Sequence, residues 1–111
     1  MSNSQRFHSF ERSARQMHRE GVMALEEQRM EDAVLSLRQA VELDPSFVSA
    51  WNDLGVVMEA LGNPTEAVRC YRQALSVQPE QDEAKSNLGM LLLQMDLVHA
   101  LHRQAFTSSA A

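Results

Sequence analysis

The chain contains few residues that interrupt or cross-link a polypeptide. Its 111 residues include 4 Gly, 3 Pro and 1 Cys, and aromatic residues make up 5%. A single cysteine excludes an internal disulfide and fits a reducing compartment, so we expect a cytoplasmic protein. Aromatic and β-branched residues, which strands favour, are scarce beside the helix-favouring Ala, Leu, Met, Glu, Gln and Arg. The composition therefore predicts one small all-α domain.

Long apolar runs and an excess of positive charge are also missing. The longest apolar stretch, Met90–Leu93, is far shorter than the ~20 residues of a membrane span, so we expect no membrane insertion. The net charge of −5 gives no electrostatic support for binding nucleic acid. The Arg- and Ser-rich start resembles a mitochondrial transit peptide only faintly, because a folded pattern begins close behind it.

A repeat of constant length runs through the sequence. Gly21, Gly55 and Gly89 are separated by an offset of 34, and Pro45 and Pro79 are separated by the same offset. So many identities at one offset indicate a repeat architecture. Further pairs at this offset are Ala33 and Ala67, Val34 and Val68, Arg38 and Arg72, Gln39 and Gln73, Ala40 and Ala74, and Leu54 and Leu88.

The middle unit carries the most regular pattern and resembles the tetratricopeptide repeat, a helix–turn–helix unit of the same length. Its signature positions are Trp51, Leu54, Gly55, Met58, Ala67, Tyr71, Ala74 and Pro79. The resemblance covers residues 14–111 and implies an all-α fold, a right-handed superhelical solenoid of antiparallel helix pairs with five to six helices. It divides the chain into an N-terminal extension of the first helix at 1–13, complete units at 14–47 and 48–81, and a degenerate or truncated third unit at 82–111.

Periodicity and capping residues predict the helix boundaries. Asn63 and Pro64 are typical of a helix start, and Ser46 is a candidate N-cap for the helix that carries Trp51. Apolar spacing that includes Phe7 and Phe10 extends the first helix upstream of the repeat. The predicted helices span 5–27, 31–43, 47–61, 64–77 and 81–95, with a sixth near 97–107.

The end of the third unit leaves two interpretations open. Residues 94–97 contain neither Gly nor Pro, yet His102–Phe106 resembles Tyr71–Leu75 at an offset of 31, as if the turn had been shortened. We slightly favour a short turn and a sixth helix. The alternative is one continuous helix over 81–107, which could not fold back over its own unit. It would leave its apolar residues to be covered by a second copy of the chain.

No motif indicates catalysis, a cofactor or a metal. Phosphate loops, nucleophile elbows and paired cysteines are missing from the sequence. His99 and His102 lie close together on a predicted helix but lack an evident third ligand, so we interpret them as solvated or packed. Cys70 is interpreted as a small, partly buried side chain and the methionines as core residues. We therefore expect a protein that is not an enzyme.

The family resemblance implies a concave groove lined by the first helices of successive units, which binds a peptide or helix of another protein. Val22, Val56 and Met90 occupy equivalent places and predict an apolar strip, while Asn52 and Asn87 carry amides that suit a peptide backbone. The alternative for each residue is a plain solvent-facing position. The predicted groove comprises Arg15, His18, Arg19, Val22, Leu25, Asn52, Asp53, Val56, Glu59, Glu83, Ser86, Asn87, Met90 and Leu93.

The same alignment argues against one known mode of binding. Family members that clamp the C-terminal carboxylate of chaperones use Lys, Asn and Arg side chains at positions where this chain has His18, Val22, Asp53, Glu83 and Asn87. Acidic residues there would repel a terminal carboxylate. The basic end with Arg15 and Arg19 and the acidic remainder with Asp53, Glu59 and Glu83 instead suggest a ligand of mixed charge with an apolar anchor.

These observations favour a protein-interaction module, an adaptor or scaffold whose partner is another protein or peptide. Two alternatives stay open. The chain could be a structural protein that associates with itself through residues 90–107, or the repeat portion of a larger enzyme.

Overall fold

Helices joined by short turns follow one another along the chain. The computed structural model describes the backbone of residues 3–110 and the side chains of residues 13–105. Over residues 3–110 it contains five α-helices and no strand. The prediction of an all-α helical-repeat solenoid is confirmed, while the side chains of Phe7, Phe10 and Phe106 lie outside the described residues. The helices are α1 (Asn3–Glu26), α2 (Met30–Leu43), α3 (Val48–Ala60), α4 (Pro64–Val77) and α5 (Asp82–Ala110).

The first two helix pairs close through the same turn. Gly62 has a φ of +75°, and Gln28, at the equivalent place in the preceding unit, has a φ of +61°. In each turn the next residue returns a backbone hydrogen bond to the preceding helix, from Asn63 to Met58 and from Arg29 to Ala24, both at 2.8 Å. Left-handed residues end helices in this way and favour glycine. The sequence marks this geometry with glycine only in the second unit.

Capping differs from one helix to the next. Asn63 accepts a hydrogen bond from the backbone of Glu66 at 3.4 Å, and Pro64 opens α4, as predicted. The prediction that Ser46 caps α3 is wrong, because Phe47 is the N-cap and no side chain bonds there. Both the backbone N–H and the hydroxyl of Ser46 donate to Asp44, at 3.1 and 2.7 Å. The carboxylate of Asp44 therefore holds the turn into α3.

Glycine allows the paired helices of the first two units to approach closely. A Cβ built at Gly21 would lie 2.6 Å from Cγ of Leu37, and one at Gly55 would lie within 3.0 Å of three ring atoms of Tyr71. Leu37 and Tyr71 are fully buried. The equivalent Cβ at Gly89 would meet nothing within 4 Å. The third unit therefore has a first helix but no second helix packed against it.

The prediction of a turn and a sixth helix is wrong, and the alternative of one continuous helix is what the structure shows. α5 runs from Asp82 to Ala110 without interruption, about 43 Å at 1.5 Å per residue. Asp96 occupies the place of Gly62 in the repeat and Val98 the place of Pro64, so neither position enforces a turn. An extra helical residue adds a hydrogen bond at little cost, and the helix propagates.

The second half of α5 extends past the end of its neighbour. Val98 and His99 are the last residues of α5 to share a pocket with Pro64 and Thr65 at the start of α4. Residues 101–105 are all exposed. The molecule is consequently long, with extents of 75 × 29 × 18 Å.

Candidate functional site

The first helices of the three units are linked by two polar contacts. Nε2 of His18 in α1 lies 2.7 Å from Oδ2 of Asp53 in α3. The amide of Asn87 in α5 donates to Oδ1 of Asn52 in α3 at 3.0 Å. Each contact joins residues 35 positions apart. These links hold α1, α3 and α5 side by side, and we call the surface along this side the inner face.

An aromatic contact supports the first link. The ring of His18 packs against the ring of Phe47, with centroids 4.8 Å apart and planes at 46°. Phe47 precedes α3 and so ties the turn between the units to α1. Sequence reasoning missed this role of Phe47, since nothing in its spacing distinguishes it from a core residue.

The structure spreads the predicted groove residues over three environments. Asn52 is buried, with 1% of its surface exposed. The half-buried residues are His18, Val22, Leu25, Asp53, Val56, Glu59 and Asn87. The exposed residues are Arg15, Arg19, Glu83, Ser86, Met90 and Leu93.

Asn52 is much less accessible to a ligand than the sequence predicts. Its side chain is buried between α3 and α5, and its carbonyl oxygen accepts from Asn87. A buried amide needs a partner because an unpaired one loses its hydrogen bonds to water. The hydrogen bond from Asn87 pairs the carbonyl of Asn52 and aligns α3 with α5. The complementary pair at an offset of 35 was visible in the sequence as a signal of contact between units.

Two of the three acidic groove residues also have partners inside the fold. Asp53 contacts His18, and Glu59 accepts a hydrogen bond from the hydroxyl of Tyr71 in α4. Burial, followed by the bond to Glu59, raises the pKa of the Tyr71 phenol above its ordinary value. Glu83 is the exposed member of the three. The carboxylates of Asp53 and Glu59 are thus less accessible to a ligand than the sequence indicates.

Apolar side chains accompany each link along the inner face. Val22 lies one turn after His18, Val56 one turn after Asn52, and Met90 nearly one turn after Asn87, so each shares a helix face with a linking residue. Val22 and Val56 are half-buried, and Met90 is 60% exposed. The three apolar residues therefore lie beside the polar links on α1, α3 and α5.

A shallow pocket of about 370 Å³ opens beside the α1 end of this face. Arg15 lies one turn before Arg19 on α1, and both are exposed. The pocket brings a cation of α1 next to the apolar ring that packs on His18. Its lining consists of Arg15, Asp44, Ser46, Phe47, Val48 and Ser49.

Groups that carry catalytic or metal chemistry are dispersed in the described part of the chain. No three His, Cys, Asp or Glu side chains there come close enough to hold a metal ion. His99 and His102 are exposed on α5. Among the described residues no helix is long and apolar enough to cross a membrane.

Cys70 is fully buried in α4, and we expect its thiol to be unreactive in the native protein. Burial raises its pKa to about 11, so at neutral pH the nucleophilic thiolate is nearly absent. Labelling with a thiol reagent should be slow in buffer and complete in denaturant. Native labelling as fast as that of a free cysteine would contradict the burial.

Comparison with known proteins agrees with this architecture. A sequence model described as a TPR repeat matches residues 23–62, and one described as a tetratricopeptide repeat matches residues 48–81. The two matches together span more than half of the chain. The crystal structure of MamA superposes with a TM-score of 0.74 at 22% identity and covers 77% of this chain and 50% of that one.

The curated relatives are much longer proteins that contain a segment similar to this chain. The tetratricopeptide repeat-containing protein trd-1 of Caenorhabditis elegans is 34% identical over 80 residues, 72% of this chain and 10% of that protein. The cytochrome c-type biogenesis protein CycH of Bradyrhizobium diazoefficiens is 37% identical over 54% of this chain and 16% of its own length. The human aspartyl/asparaginyl beta-hydroxylase is 36% identical over 57% of this chain and 8% of its own length.

The chain spans at most about a sixth of the length of these relatives. What they share with it is the repeat, and stacked helical repeats of this kind present extended concave surfaces for binding other proteins. On its sequence pattern, its linked helix pairs and these matches, the chain belongs to the tetratricopeptide repeat family, whose repeats form protein-interaction modules.

Proposed function

We propose that the inner face binds a segment of another protein, with apolar side chains at its centre and an acidic side chain at the α1 end. The observation that carries the proposal is the pair of links between first helices, His18 to Asp53 and Asn52 to Asn87. They use polar groups to align three helices and leave the neighbouring apolar residues and arginines at the surface.

Charge supports the direction of binding. Arg15 and Arg19 are exposed on α1, whereas Asp53 and Glu59 are already engaged within the fold. A ligand with an acidic residue near α1 gains attraction from Arg15 and Arg19. Rim charges of this kind govern the association rate and the orientation of a partner.

The apolar residues supply the anchor. Val22, Val56 and Met90 recur at the interval of the repeat, so a ligand laid across the three helices meets an apolar side chain from each unit. Binding energy concentrates in a few such desolvated contacts. Leu25 and Leu93 extend the predicted groove at equivalent places, half-buried in the first unit and exposed in the third.

The test is a selection of random displayed peptides on the full chain, followed by binding measurements with variants. We expect Arg19→Glu and Val56→Glu each to weaken the selected peptides at least about tenfold, the loss of about 1.4 kcal/mol typical of a contact that matters. Arg72→Glu, which makes the same charge change on the exposed side of α4, should leave affinity unchanged. Selected peptides that respond to Arg72→Glu but ignore both inner-face variants would overturn the proposal.

A peptide that ends in the free carboxylate of a chaperone tail should not bind this face. The clamp positions hold His18, Val22, Asp53, Glu83 and Asn87 in place of the Lys, Asn and Arg side chains that the clamp uses. Titration calorimetry should detect no binding at micromolar concentration. Measurable micromolar affinity would show that the carboxylate is accepted in spite of Glu83.

A further inference from the structure

α5 carries an apolar surface that the fold leaves uncovered and that shares Leu93 with the predicted groove. Gly89, Leu93, Leu97, Leu101 and Ala105 follow one another at every fourth position, which places them in one row along the helix. All five are exposed, Leu93 by 68%, Leu97 by 60% and Leu101 by 55%. We call these five residues the α5 row.

The α5 row begins at Gly89, the residue whose equivalents in the other two units pack against a second helix. Gly21 is in close contact with Leu37, and Gly55 with Tyr71, in each case the residue 16 positions later. The equivalent partner of Gly89 is Ala105. Ala105 lies on the same continuous helix, so it cannot reach Gly89 of its own chain, and a Cβ at Gly89 meets nothing.

The row is also complementary to itself. Read in either direction about Leu97, it presents a small residue, three leucines and a small residue. Two copies of α5 that cross antiparallel at Leu97 bring Leu93 opposite Leu101 and place Gly89 at the same level as Ala105 along the helix pair. This register is the one that the contacts within the first two units specify. Identical patches related by a twofold axis are the usual basis of a homodimer.

We propose that two copies of this chain associate through the α5 row, antiparallel about Leu97, so that the second half of each α5 takes the place of the missing second helix in the other copy. The second copy is favoured over an unrelated helix because one register satisfies both the repeat and the symmetry of the row. In this register Leu101 and Ala105 stand where Ala67 and Tyr71 stand in the second helix of the preceding unit.

Light scattering during size-exclusion chromatography tests the association on the full chain. We expect twice the 12.5 kDa chain mass at high micromolar concentration. Leu97→Asp should return the protein to a monomer, with at least a hundredfold loss of association, because two carboxylates would face each other at the crossing. Leu97 is exposed in the single chain, so circular dichroism should show an unchanged fold. A wild-type chain that stays monomeric overturns the proposal, whatever other protein later proves to cover α5.

Cysteine cross-linking tests the register. Leu97→Cys should form a disulfide-linked dimer under mild oxidation, whereas His99→Cys, exposed on another side of the same helix, should not. The wild-type chain provides the background, since Cys70 is buried. Mixing Leu93→Cys with Leu101→Cys chains should give the mixed dimer in preference to either self-linked one. Equal cross-linking of Leu97→Cys and His99→Cys, or a preference for self-linked Leu93→Cys, would contradict the antiparallel pairing.

The outcomes separate this proposal from the one for the inner face. Arg19 and Val56 lie on α1 and α3, away from the α5 row. Leu97→Asp chains that are monomeric and still bind the selected peptides would support both proposals independently.

Discussion

Replacing Tyr71 by alanine is expected to remove about 3–5 kcal/mol from the free energy of unfolding, as for other buried aromatic residues. The ring is fully buried, packs on Gly55 and donates its hydroxyl hydrogen bond to Glu59. Domains of this size are stable by only about 5–15 kcal/mol, so the loss is a large part of the total. Urea denaturation followed by circular dichroism measures it directly.

The control Tyr71→Phe keeps the ring and removes the hydroxyl. We expect it to cost about 0.5–1.5 kcal/mol, because Glu59 is half-buried and water can replace part of the lost hydrogen bond. Equal losses for Tyr71→Ala and Tyr71→Phe would mean that the hydrogen bond dominates and the packing against Gly55 contributes little.

The same pair of proteins shows the effect of the raised Tyr71 pKa. At a pH below the ordinary phenol pKa of 10.0, the Tyr71 hydroxyl is protonated in both the folded and the unfolded chain. The hydroxyl then makes its full contribution to the free energy of unfolding. Above that value the unfolded phenol ionises first. The wild type should then lose about 1.4 kcal/mol per pH unit relative to Tyr71→Phe, a difference in which other titrating groups cancel. A difference that stays constant to about pH 11 would contradict the raised pKa.

Gly55→Ala and Gly89→Ala should have effects of opposite sign. At Gly55 the new methyl group would lie within 3.0 Å of three ring atoms of the buried Tyr71, and overpacking of this kind costs about 1–3 kcal/mol. At Gly89 no atom lies within 4 Å, so only the helix propensity changes, and alanine gains about 0.5–1 kcal/mol over glycine.

Both glycine substitutions should be made in the Leu97→Asp variant, so that association between chains does not add to the measured free energy of unfolding. The difference in denaturation midpoint between the two variants is the measured quantity. Stabilisation by both would indicate that Tyr71 moves aside without cost. Destabilisation by both would indicate that a helix already packs on Gly89 in the single chain.

Much of the fold was predictable because its signals are local or periodic. The constant interval between Gly21, Gly55 and Gly89 identified the family, and the Asn63–Pro64 start of α4 was placed correctly. The site was less predictable. Asn52 carries an amide that suits a ligand, and only its packing against α5 shows that the carbonyl of this amide already accepts a hydrogen bond from Asn87.

The error at the C-terminal end has a physical origin. Gln28 adopts a left-handed backbone in the first turn without being glycine, and Asp96, at the equivalent place in the third unit, continues a helix. Either residue can adopt the left-handed or the helical backbone at a cost of only about 1 kcal/mol. Local sequence cannot decide between states so close in energy.

By itself, the amino-acid sequence determined the repeat, the helical class and the positions that carry glycine for close packing, because each depends on residue type and interval. Only the tertiary structure decided that His18, Asp53, Asn52 and Glu59 are engaged inside the fold and that Gly89 faces open space. These facts depend on which helix lies opposite, and that is settled by packing between segments that are distant in the chain.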